Sequence, residues 1–342
     1  MGRSNLRRTT IAAAAPALVF LGFVTGLQRP FPPIAGGVPD PAAVELGRLL
    51  FFDPVLSADG TLSCAHCHRP DRALADGLRT ARGRGGRALP RNTPTLYNAA
   101  FKDRLMWDRR AGSLEAQVRI PLFGADEMAA DPARLAARLD AIPEYRRRFD
   151  RVFGEGGASV DRVSRAIAAF ERTLLSQDSR FDRYAAGDRG ALSRSERRGL
   201  TIFRSLNTRC FECHRLPTFD VPLAMGIGVP SGDPGVGGAG GTPAQTGFFG
   251  VPSLRNVGAT APYMHDGSLA TLEDVVDFYR EGGGRAHGAE PGRVHEHVRP
   301  FAIRDEEAAD LVAFLRSLGD ERARPRVPER VPSGLPVLEE RP

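Results

Sequence analysis

The chain has 342 residues, 42% of them hydrophobic and 26% charged, and a formal net charge of +6. That is chain enough for two ordinary domains, too polar for a polytopic membrane protein and too apolar for general disorder. Lys102 is the only lysine among 47 basic residues, and the arginines are spread among 41 acids, so the charge reads as a solvated Arg-rich surface and not as a nucleic-acid face.

Arg3, Arg7 and Arg8 precede an uncharged run from Ile11 to Leu27 and then QRPFPP, the order of an export signal. Residues 1–26 are therefore read as a signal peptide or a retained membrane anchor, and residues 27–40 as a linker rich in Pro and Gly. AAVELGRLLFF follows as a short helix. SVDRVSRAIAAFERTLLS, residues 159–176, is the clearest helix, with Val160, Val163, Ile167, Phe170 and Leu174 at spacings of three and four. A boundary falls near Gly187 to Ala191, before a capping box of Ser193 and Glu196. Residues 225–250 are mostly loop, helices resume in TLEDVVDFYREGGG and RDEEAADLVAFLRSLGD, and residues 321–342 form a Pro-rich tail. GRLLF (Gly47 to Phe51) and GLTIF (Gly199 to Phe203) stand ahead of two cysteine motifs, a faint repeat that implies two related halves.

Those motifs are Cys64-Ala65-His66-Cys67-His68 and Cys210-Phe211-Glu212-Cys213-His214, both C-x-x-C-H. Two thiols on one helical turn can bond the two vinyl groups of a haem while the next imidazole reaches the iron, which assigns His68 and His214 as proximal ligands. Zinc competes for Cys and His, but its modules keep ligand pairs within tens of residues and do not call for His directly after each pair. His66 reads as a partly exposed side chain. The fold expected is mainly α, with two cytochrome c-like domains (residues 41–188 and 189–320), each around a covalently bound haem. A filled far side of the iron would make a haem an electron carrier, and an open one would let it bind peroxide.

RNTPTLYN (91–98), MWDRRAGSLEAQ (106–117), PLFGADEM (121–128) and VPSLRNVGATAPYMHDGSLATLEDVVDFY (251–279), together with the haem motifs, resemble the bacterial diheme cytochrome c peroxidase family that includes MauG. The resemblance runs from about Glu45 to Leu318. It implies that peroxide reacts at the N-terminal haem, beneath Glu127, with Gln117 orienting. Some members carry a blocking histidine on the loop before RN. Here the matching position is Arg84, which cannot ligate iron usefully, so that face is expected to be open. At the second haem the count from His265 reaches Tyr279, where reductively activated members have methionine. Tyr279 is either a ligand or a core residue, with Met225 and Met264 in reserve. Trp107 matches the residue that relays electrons between the haems. Asn92 and the carbonyls of Thr260 and Pro262 match a calcium site, and Arg109 departs from the family's W-D-G-R. His287, His295 and His297 read as solvated loop residues.

The function expected is a periplasmic peroxidase reducing hydrogen peroxide with electrons from a small c-type cytochrome or a cupredoxin. The alternatives are a MauG-like enzyme that oxidises or modifies a partner protein, and a diheme electron carrier without enzymatic activity. No nucleic acid is expected as a partner, and a homodimer is compatible with the reading.

Overall fold

A computed structural model of the chain describes residues 27–290 and 292–337. The expected export segment lies outside them. Its first half contains helices α1 (Pro41–Phe52), α2 (Cys64–Cys67), α3 (Leu114–Phe123), α4 (Pro132–Asp140), α5 (Pro143–Phe153) and α6 (Val160–Glu171). Helix α1 starts where the Asp40 side chain accepts from the Ala42 N–H and Pro41 presets φ. It buries Leu46, Leu50, Phe51 and Phe52 against α6, which Ser159 caps through the Arg162 N–H. Gly47 makes this crossing possible: a Cβ there would lie 1.8 Å from the Ala166 carbonyl oxygen. The helix expected over 159–176 ends at Glu171. Thr173 and Leu174 then donate to the carbonyls of Phe170 and Glu171, a tightened turn that sends Leu174 into the core.

The second half contains α7 (Arg180–Ala185), α8 (Arg194–Phe203), α9 (Cys210–Cys213), α10 (Leu272–Arg280) and α11 (Asp305–Arg316). Helix α8 opens on the Ser193 and Glu196 box and packs on α11 as α1 packs on α6. Gly199 stands at this crossing as Gly47 does at the other, its absent Cβ 2.0 Å from the Asp310 carbonyl oxygen.

The duplication extends into the loops. Asn98 and Asn256 both adopt left-handed backbone, at φ 61° and 60°. Asn98 donates its N–H to Leu174 O and accepts from Ser176 N at Oδ1, while Asn256 does the same with Leu318 O and Asp320 N. From these asparagines the halves run in register 158 positions apart, through Met106 and Met264 (φ 70° and 72°) to Ser113 and Thr271, the caps of α3 and α10. Among the described residues the strands are β1 (Ala224–Met225) and β2 (Phe249–Gly250), paired antiparallel with Ala224 opposite Gly250.

The two ends of the described chain cross over. Leu27 is buried in the core of the second half, and Phe31 stacks on Phe101 with Arg255 over its ring. Val331 is buried in the core of the first half, and Ser333 donates to the buried carboxylate of Asp53, which also accepts from the Tyr145 hydroxyl. No helix among the described residues is long and apolar enough to cross a membrane.

Candidate active site

Both cysteine motifs open into one cavity of about 1200 Å³, above the span of about 300–1,000 Å³ usual for a single small-molecule pocket. His68 and His214 line it, and each imidazole is fixed in the same manner, with Nδ1 2.9 Å from the Leu74 carbonyl in one half and 2.9 Å from the Phe219 carbonyl in the other. Leu74 and Phe219 hold left-handed backbone (φ 60° and 56°) at these turns. Donation from Nδ1 leaves Nε2 with the free lone pair, as a ligating imidazole requires. Burial lowers the pKa of both histidines, which keeps them neutral.

None of the four cysteines is spent in a disulfide, and burial pushes the Cys64 thiol upward and Cys210 up to about 11. They are thus poor thiolate nucleophiles, while two sulfurs and a neutral imidazole per motif on a shared apolar cavity fit a covalently attached haem. Among the described residues no three His, Cys, Asp or Glu side chains converge as a bare metal ion needs. His66 turns back as a cap, its Nδ1 accepting from the Ser63 N–H at 2.9 Å.

On the His68 side, Glu127 and Gln117 both line the cavity. The Glu127 N–H donates to Gly124 O in the turn that follows α3. Burial raises its carboxyl pKa, with Arg110 opposing and Asp126 adding. Gln117 sits on α3 with Nε2 3.9 Å from Met106 Sδ, and its buried Oε1 has no partner. Arg84 lies outside the lining, 3.2 Å from Asp59, while its N–H donates to Asp126 O and ties the loop to the turn bearing Glu127.

Tyr279, Met225 and Met264 line the His214 side. Burial raises the Tyr279 phenol, with the Cys213 and Cys210 thiols adding, and no hydrogen-bond partner among the described residues holds its hydroxyl. His295 and His297, expected in solvent, also line the cavity, and His297 Nδ1 stands 2.6 Å from Glu212 Oε2 inside the second motif. His287 is half-exposed and stacks on Phe278.

Trp107 lies between these regions. Its Nε1 donates to the Asn92 carbonyl at 2.9 Å, Asn92 N–H donates to the His265 carbonyl at 2.7 Å, and the Trp107 carbonyl accepts from Gly250 N–H. Arg91 clasps the halves, pairing with Asp108 of the first and Asp233 of the second, each at 2.6 Å. The Asn92 side-chain nitrogen bonds Leu78 O, which leaves Oδ1 for another partner; Thr260 and Pro262 line the same cavity. Arg109 adopts φ 59°, the left-handed backbone a glycine would favour, and is held by Asp103 and the Pro222 carbonyl.

The sequence reading passed over two positions. The 158-residue register pairs Tyr279 on α10 with Pro121 on α3, and both line the cavity. Glu171, at the end of α6, is a buried acid on the same cavity. The repeat could have exposed the first; nothing local marks the second.

Residues 41–190 match the family model of the di-haem cytochrome c peroxidases. MauG of Methylorubrum extorquens is 40% identical over 293 residues, spanning 84% of this chain and 81% of that protein. The cytochrome c551 peroxidase of Nitrosomonas europaea is 33% identical over 340 residues, spanning 97% of both. Among solved structures, a MauG-like protein associated with microbial copper homeostasis superposes with TM-score 0.78 at 34% identity, over 87% of this chain and 95% of that one. The diheme peroxidase BthA of Burkholderia thailandensis gives TM-score 0.71 at 26% identity, over 90% and 96%.

Proposed function

Because this chain belongs to the bacterial di-haem cytochrome c peroxidase family and is an oxidoreductase of that type, we propose that it reduces hydrogen peroxide to water in the periplasm. Two cytochrome c-like domains, residues 41–188 and 189–320, each hold one haem, through Cys64, Cys67 and His68 in the first and Cys210, Cys213 and His214 in the second. The bound haems supply iron for peroxide and a store for the electrons that reduce it.

This chain's residues do the rest. Glu127 takes the proton from the near oxygen of hydrogen peroxide and returns it to the departing oxygen, which leaves as water. A carboxyl with a raised pKa suits both halves of that transfer. Gln117 orients the peroxide from α3. Tyr279 would hold the second iron, since a cation is what would draw the proton from a phenol that burial otherwise keeps protonated. Trp107 carries electrons between the sites. Asn92 Oδ1 and the carbonyls of Thr260 and Pro262 would hold a calcium ion, which would brace the junction. Electrons enter at the His214 side from a small c-type cytochrome or a cupredoxin.

One observation carries this reading. The repeat sets Pro121 where Tyr279 stands, so at this paired position one half has a side chain able to bond iron and the other has one that is not. Spectra of the resting holoprotein test it: one high-spin and one low-spin haem are expected, and two low-spin haems would make the chain an electron carrier.

A second reading, a MauG-like enzyme that oxidises or modifies a partner protein, is favoured by Tyr279 itself, because a phenolate holds iron oxidised where methionine would favour reduction. Turnover with reduced cytochrome c separates the two. Fast saturable oxidation supports the peroxidase, and negligible turnover supports the protein-modifying enzyme.

A further inference from the structure

Glu171 is 3% exposed, yet it lines the cavity beside Cys64, Gln117 and Ile167, and its Oε2 has no hydrogen-bond partner. The charges around it do not neutralise it. Arg172, next in the chain, pairs with Glu115 at 2.7 Å and donates to Ala35 O. Cys64, a thioether once haem is attached, carries no charge, and the Glu45 and Arg48 side chains of α1 bond to each other. Gln117 Oε1, a second unpartnered buried atom of a cavity-lining residue, is an acceptor and can be satisfied only by a donor, which a carboxylic acid is and a carboxylate is not.

Packing does not require an acid here. Gly47 meets Ala166 and Phe170 as Gly199 meets Asp310 and Phe314, and the same register brings Glu171 onto Leu315, which also lines the cavity. A leucine thus fills this place in the other half, and a buried charge is costly without a counterion.

We propose that Glu171 takes up a proton when the N-terminal haem site gains an electron and gives it back when the site loses one. The inference rests on the haem attachment described above. The electron comes from the external donor and the proton from solvent; an O–H bond forms at the Glu171 carboxylate, no bond in the protein breaks, and the net charge of the buried site is unchanged. Burial already pushes this carboxyl up to about 8, against the pull of Arg172 and with the push of Glu115, which sets the exchange near neutral pH.

The test is a spectroelectrochemical titration of the holoprotein at a series of pH values. The N-terminal haem potential should fall as pH rises through this range, by up to a tenfold change in the oxidised-to-reduced ratio per pH unit, or about 59 mV. Glu171→Gln and Glu171→Leu, the latter borrowed from the other half, should each flatten that slope. In the unaltered protein the redox-difference infrared spectrum should gain, on reduction, a carboxylic-acid carbonyl band that shifts in D2O. A pH-independent potential, or a slope that survives in both Glu171 variants, overturns the proposal. Absence of haem on Cys64 and Cys67 would instead overturn the function it rests on.

Discussion

Burial shifts Glu127 and Glu171 in the same direction, and in each an arginine acts against the shift, Arg110 on Glu127 and Arg172 on Glu171. To accept a proton from peroxide, Glu127 must be ionised, and its raised pKa means that ionisation is complete only above the ordinary glutamate range. Peroxide turnover should therefore fall as pH drops through a midpoint above 4.5, and Glu127→Gln should remove that acid limb and lower kcat by about 10²- to 10⁴-fold, read from steady-state rates across pH. Tyr279→Phe should change the absorption spectrum of the second haem alone; an unchanged spectrum would return the tyrosine to the core. The two C-x-x-C-H motifs proposed to attach haem were legible in the sequence because covalent attachment dictates a fixed local spacing. Glu171 was not, since AAFERTL reads as ordinary amphipathic helix, and only the approach of α2 and α3 encloses it.

At the scale of elements, periodicity and caps announce the helices, and the boxes at Ser193 and Thr271 form as their sequences imply. What pairs α1 with α6 and α8 with α11 is one glycine each. Replacing a helical glycine by alanine ordinarily stabilises, by roughly 0.5–1 kcal/mol. Here the sign should reverse. A Cβ on Gly47 or Gly199 would meet a backbone carbonyl at 1.8 or 2.0 Å, so Gly47→Ala and Gly199→Ala should each cost about 1–3 kcal/mol or more in denaturation of the holoprotein. Stability gained by either variant would refute the close crossing. The strap from Arg324 to Val337 was invisible for a related reason. A Pro-rich segment has no period from which its partner can be read, and the docking of Val331 and Ser333 depends on a core and a carboxylate nearly three hundred residues earlier.

At the scale of the whole molecule, one scaffold is used twice and lined differently. The helix crossings, the left-handed asparagines and the histidine anchors repeat. The linings diverge at Trp107 against His265, Pro121 against Tyr279 and Glu171 against Leu315. Duplication accounts for two equivalent cofactor places, and divergence at a few cavity positions would give them the different chemistry proposed here, without any change in how the chain folds. If, as proposed, the far side of the N-terminal haem is open because proline cannot bond iron, supplying the other half's residue should close it. Pro121→Tyr removes a proline from inside α3, where its ring takes the place of a backbone donor, so the helix itself is not endangered by the change. The expected result is loss of the high-spin signal and of peroxide reactivity together, while the second haem keeps its spectrum. A high-spin signal persisting in a correctly loaded Pro121→Tyr protein would mean that the far side is kept open by the distance of α3 from the iron and not by the chemistry of its residue.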